Sequence, residues 1–352
     1  MEIGTEDYIE SNTRYIFETM RCDGLIIDPL SNLEKKIKAN LKNFWKNNMA
    51  LYEKITIIGL GLIGSSMARG IKEKNLCKTL VGFDANEDIH EVINQLKLVD
   101  RLDKKLSDSV KDADLVILAT PVGAYSSLGE IIGPHLKKGT TLSDVGSIKN
   151  AVFKMLNPYI PKNVHLIPGH PVAGTEQSGP KAGFSSLFHD RWAILTPADD
   201  ADQSAVDQLT KFWQALGSNV EIMDPAHHDK VLAITSHVPH LIAYNIVGTA
   251  RDLEEVTKSE VIKFSAGGFR DFTRIAASDP TMWRDVFLHN KDAVLEMLGR
   301  FNEDLTALQR AIRWDDGDAL YEIFEKTRRI RKQIIDAGQE QDVADFGRHH
   351  ED

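Results

Sequence analysis

An open, doubly wound and mainly parallel α/β sheet followed by an all-helical half is the fold the sequence predicts. Three observations predict it. Short apolar runs alternate with helical stretches from Tyr52 to Asp224, most of those runs end in Gly, Asp or Pro, and no convincing strand recurs after Asp224. The expected organisation is an N-terminal extension over 1–50, poorly ordered or partly helical, an α/β domain over 52–224, a helical domain over 225–338 and a polar tail over 339–352.

The elements follow in order. SNLEKKIKANLKNFWKNN in the extension has the look of a basic, weakly amphipathic helix, but the segment lacks the apolar content of a domain. It is either a loosely attached arm or sequence upstream of a start at Met49. KITIIGLG, TLVGFD, ADLVILATP, TTLSDVG, NVHLIPGH, RWAILTP and NVEIMD then read as strands. SSMARGIKEKNL and AYSSLGEIIGPHL, between the early ones, carry apolar residues at helical spacing. Beyond Asp224, HHDKVLAITSHVPHLIAYNIVGTA and WRDVFLHNKDAVLEMLGRFNEDLTALQRAI keep that spacing without interruption, and QEQDVADFGRHHED is polar.

Bulk properties narrow the function classes. At 352 residues the chain can bury two cores, and 42% hydrophobic with 27% charged residues is ordinary globular composition. A net charge of −10 argues against broad nucleic-acid binding. Two cysteines, Cys22 and Cys77, make neither a disulfide framework nor a metal cluster, which suits a reducing cytoplasm. No apolar run approaches the roughly 18 residues of a membrane span, and the acidic first twenty residues are unlike a signal peptide. A soluble, cytoplasmic protein with a small-molecule substrate is expected, with no membrane and no nucleic-acid partner.

Gly59-Leu60-Gly61-Leu62-Ile63-Gly64 follows a strand and opens a helix, and Asp84 ends the next strand twenty residues later. The first glycine permits a tight turn, the second lets backbone approach a pyrophosphate, and the third lets helix pack on strand. The helix N-terminus, with Leu62 and Ile63 in its first turn, offers N–H groups to an anion. Asp84 is placed to accept from ribose hydroxyls and would repel a 2′-phosphate, so the expected cofactor is NAD and the domain is of Rossmann type. The plain alternative for Asp84 is a turn residue. Thr120 and Pro121 would lie along the same crevice of strand ends.

Asp144, Ser147 and His170 fall at or just beyond later strand ends, beside that cofactor, and Asp144 is expected to help bind it. Oxidising a carbinol requires the hydroxyl proton to leave with the hydride. Histidine, with an ordinary pKa of roughly 6.5, suits that task, and Ser147 could hold the hydroxyl. His170 read alone could equally be a polar residue at a loop mouth.

GLGLIGSS, ATPV, SDVGSIK, GHPVAGTEQSG, SHVPH and GGFRDFTRIAASDPTMWRDVF, in this order, resemble the prephenate/arogenate (cyclohexadienyl) dehydrogenase family of tyrosine biosynthesis over roughly 54–335. The resemblance implies NAD-dependent oxidative decarboxylation of prephenate to 4-hydroxyphenylpyruvate, of arogenate to tyrosine, or both, by a homodimer joined through its helical domains. It implies that His170 takes the ring-hydroxyl proton and that Ser147 contacts both that hydroxyl and the histidine. Arg274 would bind a substrate carboxylate. Thr175, Glu176, His240, Gly267 and Trp283 would line the substrate pocket, with Glu176 and Asp271 as a charged gate around Arg274. Because relatives with further domains carry them before or after this core, and little flanks it here, a monofunctional enzyme is expected.

Simpler readings stand beside these. Asp271 and Arg274 could be a helix-face ion pair, and Trp283 ordinary core. His237 and His240 have metal-like spacing, but no third ligand suggests itself and no metal is expected. His227-His228 reads as a solvated helix start. The competing functions are a β-hydroxyacid dehydrogenase, with Lys149 as its catalytic lysine, and a non-catalytic NAD-binding protein. Between the two substrates the sequence leans slightly to prephenate.

Overall fold

The computed structural model describes residues 50–175, 177–257 and 263–336. The expectations for residues 1–49, for Glu176 and for 339–352 fall outside the described residues. The chain divides into two compact units, one closing at Lys291 and the other starting at Asp292.

The first unit opens on a parallel six-stranded sheet of β1 (Tyr52–Ile58), β2 (Cys77–Phe83), β3 (Arg101–Leu102), β4 (Leu115–Leu118), β5 (Thr141–Asp144) and β6 (His165–Leu166). Their order across the sheet is β3-β2-β1-β4-β5-β6, so the direction of winding reverses between β1 and β4. That reversal opens a crevice at the strands' carboxyl ends. The crossovers carry α1 (Leu62–Lys74), α2 (His90–Gln95), α3 (Leu106–Ser109), α4 (Tyr125–Ile132) and α5 (Asn150–Leu156). Strand β4 shows why both faces must be covered. Leu115 and Ile117 enter one buried cluster with Ile55, Ile57 and Met67, while Val116 and Leu118 enter another with Ile58, Tyr125 and Val152. Alternate side chains of a strand point to opposite faces, so four consecutive apolar residues need two cores.

One expected strand is two. In NVHLIPGH, Ile167 N donates to Leu142 O at 2.9 Å and closes β6 against β5. Pro168 has no N–H to continue that ladder, and its carbonyl instead accepts from Thr196 N at 2.9 Å. The chain thereby crosses to a second sheet, β7 (Gly169–Pro171) antiparallel to β8 (Trp192–Leu195), which is parallel to β9 (Asn219–Ile222). RWAILTP and NVEIMD thus form strands outside the parallel sheet, with α6 (Gln203–Ala215) between them. His170 sits in β7, at the seam of the two sheets, and not at the end of a parallel strand.

The rest of the first unit is helical: α7 (Pro225–Leu232), a π-helical turn (Ala233–His237), α8 (Val238–Thr257), α9 (Gly267–Thr273) and α10 (Pro280–His289). Asp-Pro pairs start two of them. Asp224 accepts from His227 N at 2.8 Å and Asp279 from Met282 N at 2.9 Å, each just before a proline whose fixed φ suits the first helical position. The π-turn precedes Pro239, whose missing N–H and bulky ring disturb a regular α-helix. Trp283 and Val286 of α10 join the same apolar cluster as Val116 and Val152, so this helix shares the nucleotide-side core. The second unit is helical, comprising α11 (Lys291–Arg313) from Asp292 on and α12 (Gly317–Asp336).

One helical run, Pro225–Asp252, is long and apolar enough to cross a membrane by length and composition, contrary to the expectation that no segment would be. It also carries the buried polar side chains of His228, Asp229 and His237, each engaged by other parts of the first unit.

Candidate active site

A cavity of about 960 Å³ opens where the Gly59–Gly64 loop, the ends of β4 and β5, strand β7 and helices α8 and α10 meet. At one end Gly59 has φ +94°, and a side chain there would drive its Cβ to 2.5 Å from Ala119 O. Gly64 lies against Gly59 so closely that a Cβ would stand 2.0 Å from its carbonyl oxygen. Neither lines the cavity; both set the turn that lets Gly61, Leu62 and Ile63 do so. Around Gly61 nothing lies within 4 Å of where a Cβ would be, and no side chain caps α1. The first N–H groups of that helix are left for an anion. Asp84 Oδ2 accepts from Leu60 N at 2.7 Å and Oδ1 from Asn86 N at 2.9 Å. Its carboxylate therefore braces the glycine loop, with lone pairs to spare for a ribose. Thr120 lines the cavity beside Pro121, and its buried Oγ1 has no partner in the protein. An open glycine, uncapped N–H groups and an orphaned hydroxyl in one crevice fit a dinucleotide.

Asp144 departs from expectation. It is 1% exposed and does not line the cavity. Its carboxylate accepts from Lys149 Nζ at 2.6 Å, Gly146 N at 2.8 Å, Tyr125 Oη at 2.9 Å and Gly169 N at 3.2 Å. With those lone pairs occupied it is an internal hub and not a cofactor ligand. Lys149, fully buried, also donates to Gly169 O at 2.7 Å. The ion pair thus grips both backbone groups of the residue before His170. Burial pushes the Lys149 ammonium down against the pull of Asp144, and lifts the Tyr125 phenol well above its usual value with Asp144 adding to the effect. Lys149 does not line the cavity, which removes the catalytic lysine that a β-hydroxyacid dehydrogenase would need.

His170 and Ser147 both line the cavity. His170 is 7% exposed, and its Nδ1 lies 2.9 Å from His228 Nε2. The solvated start expected for His227-His228 holds only for His227, which is exposed, because His228 is completely buried. Its Nδ1 lies 2.9 Å from Asp229 Oδ1. The same carboxylate accepts from Lys149 N at 2.7 Å and Asn150 N at 2.9 Å, closing the N-terminus of α5. Burial pushes His170 well below the ordinary histidine range, and the neighbouring His228, Lys149 and His237 add to the effect. It is neutral at pH 7 and able to take a proton.

His240 also lines the cavity, with Nδ1 on Ser236 O at 2.8 Å and its ring stacked on Trp283, centroids 3.7 Å apart. Arg274 and Thr175 share the wall. Burial, followed by the nearby Arg274, lowers His240. Trp283, 6% exposed, is both core and cavity wall. Gly267 and Asp271 lie on α9 and do not line the cavity. His189 and Arg191, which the sequence did not single out, do line it. The described lining therefore carries two guanidinium groups, Arg191 and Arg274, and one carboxylate, Asp279, already engaged as a helix cap. That excess of positive charge favours anions despite the acidic chain.

His237 does not reach the cavity. It is completely buried and its Nδ1 accepts from Asn290 Nδ2 at 3.1 Å. No group of three potential ligands that could hold a metal occurs among the described residues. Burial lowers the His237 pKa to about 4, so as pH falls the unfolded chain takes up that proton first. Stability is then lost between about pH 6.5 and 4, by up to about 3 kcal/mol from this group. Denaturant titrations across that window should show the loss, and His237→Asn, which keeps an acceptor for Asn290, should flatten the slope.

The family description "Prephenate dehydrogenase, nucleotide-binding domain" matches residues 67–222, and "Prephenate dehydrogenase, dimerization domain" matches 224–326. The chain belongs to the prephenate dehydrogenase family. It is 40% identical to the cyclohexadienyl dehydrogenase of Zymomonas mobilis over 80% of this chain and 96% of that one. It is 34% identical to the prephenate dehydrogenase of Bacillus subtilis, over 79% of this chain and 75% of that one. Among solved structures, prephenate dehydrogenase from Aquifex aeolicus in complex with hydroxyphenyl propionate and NAD+ superposes with a TM-score of 0.75. It is 30% identical, and the match covers 80% of this chain and 98% of that one.

Proposed function

We propose that this chain is an NAD-dependent oxidoreductase that oxidatively decarboxylates prephenate, arogenate or both. The observation that carries the reading is one cavity lined together by an anion-ready glycine loop, by His170 and Ser147, and by Arg274 and His240. Bound NAD supplies the hydride acceptor. His170 takes the hydroxyl proton of the substrate ring on the nitrogen that His228 does not engage. Ser147 holds the hydroxyl against that nitrogen, and the buried, neutral state of His170 keeps it ready near pH 7. Arg274 grips the side-chain carboxylate through paired N–H groups, and the Trp283–His240 stack walls the ring. As the ring carbonyl forms, its conjugation to the carbon bearing the second carboxylate draws out carbon dioxide and leaves a phenol. Prephenate carries no ammonium, so the Arg191 and Arg274 guanidiniums in the lining suit it better than arogenate.

In this reading 52–224 bind the nucleotide, and 225–338 complete the substrate pocket and make a homodimer contact. Exposed Leu295, Ile312, Trp314, Tyr321 and Phe324 on α11, α12 and the turn between them support that contact. A cytoplasmic enzyme fits the polar burdens of Pro225–Asp252, whose buried His228, Asp229 and His237 a bilayer would not satisfy. Absorbance at 340 nm, with NAD and either substrate, tests the reaction, and silence with both would remove it. Arg274→Lys should raise KM about 10- to 100-fold with a smaller change in kcat, since lysine loses the paired hydrogen bonds. An unchanged KM would take the carboxylate away from Arg274.

A further inference from the structure

A neutral imidazole can carry its hydrogen on either nitrogen, yet a general base works only if the nitrogen facing its substrate is bare. Nothing in β7 itself makes that choice for His170. The choice is made two residues away in space. Asp229 sits at the buried end of a line of hydrogen bonds, where its carboxylate accepts from two backbone N–H groups, Lys149 and Asn150, as well as facing His228. A carboxylate in that setting only accepts, so His228 must carry its hydrogen on Nδ1. Its Nε2 is then an acceptor, and the 2.9 Å contact with His170 Nδ1 forms only if His170 donates there. His170 is left with a bare Nε2. The ring centroids are 5.1 Å apart with 71° between planes, a separation that fits an in-line N–H···N contact between ring nitrogens 2.9 Å apart.

We propose that His228 and Asp229 are positioning residues of the active site, a buried relay that fixes the tautomer of His170 and backs the positive charge His170 acquires when it takes the substrate proton. The proposal rests on the dehydrogenase reading for its second half, whereas the tautomer can be read without substrate. The relay has charged company on each side. Lys149 and Asp144 face it from β5 and the start of α5, Asp229 from α7, and His237 from the π-turn. Lys149 disfavours any second positive charge among the histidines, and Asp229, hydrogen-bonded to His228, offsets it there with a smaller contribution from Asp144. The arrangement parallels the carboxylate that orients a catalytic histidine in serine hydrolases, with one more imidazole inserted.

The full-length protein labelled with ¹⁵N-histidine, free of substrate, gives the primary test. His170 resonances, identified by their loss in His170→Asn, should show a protonated Nδ1 and an unprotonated Nε2. Wild-type protein with the hydrogen on Nε2 would overturn the proposal. Two variants extend it. His228→Leu should populate the wrong tautomer and lower kcat about 100-fold or more, with KM and NAD affinity held within about threefold. His228→Gln, whose amide oxygen can accept from His170 Nδ1, should recover at least about tenfold of that loss. A folded His228→Leu with wild-type turnover, or a His228→Gln no better than the leucine variant, would overturn the positioning role. If His228→Leu fails to fold, the wild-type resonances and His228→Gln against wild type decide. Wild-type protein with the expected tautomer but no turnover of prephenate or arogenate would instead remove the functional reading.

Discussion

Replacing His170 by asparagine should lower kcat about 100- to 10,000-fold while NAD affinity stays where it was. The substitution is conservative where it matters for structure. The asparagine amide stands roughly in place of Nδ1 and can still donate to His228 Nε2, which lies 2.9 Å away, so the buried contact survives. What disappears is the second ring nitrogen, the one atom that can take the hydroxyl proton. The cofactor end of the cavity, at Gly61 to Ile63, is formed by other elements and should bind as before. Steady-state turnover with a fluorescence titration of NAD separates the two effects. A loss under about tenfold would mean that another group, or water, serves as the base.

The second large effect is on stability. Lys149→Met should destabilise the first unit by about 3–5 kcal/mol, because it leaves Asp144 as a buried carboxylate without its cation. The carboxylate would retain Tyr125, Gly146 and Gly169 as donors, so collapse of the fold is not expected. Adding Asp144→Asn should return part of the loss, since the remaining group no longer carries a buried charge. Denaturant midpoints of the single and double variants measure this directly. Equal stability of Lys149→Met and wild type would show that the pair contributes nothing net. Turnover should fall as well, since Lys149 holds Gly169 O at 2.7 Å immediately before His170.

Much of the site was legible because its residues lie in stretches whose local chemistry is self-contained. The glycine loop announces itself by spacing, and Gly59 and Gly64 are needed for reasons a short sequence can state. His170, Ser147, Arg274 and His240 are carried by motifs. Asp144 was misplaced because a carboxylate at a strand end looks the same whether it faces a crevice or an internal lysine five residues on. Only the depth of burial distinguishes them. His228 was missed because an exposed and a buried histidine adjoin in HHDK. The signal existed, since the buried positions 228–229, 232–233 and 237–238 form a stripe whose second step is five residues and not four. A regular helical template loses that stripe at the π-turn. The split of NVHLIPGH was readable at Pro168, which cannot donate to a central ladder, but the acceptance of its carbonyl by Thr196 is a long-range fact.

Asp229 is covalently part of the helical half, yet it completes the first turn of α5 in the nucleotide half by accepting from Lys149 N and Asn150 N. Asp285 likewise accepts from Gly123 N, at 3.2 Å, in the loop after β4. The two halves are consequently poor candidates for separate existence. A fragment ending at 224 would expose unfinished backbone at the start of α5 and leave His170 without its His228 contact, free to sample many ring orientations. Gene fusion, fission or exchange across that junction would therefore be filtered by backbone chemistry before any question of substrate arose. The unit that evolution and synthesis must handle as a whole runs on to about Lys291, well past the point where the strands stop.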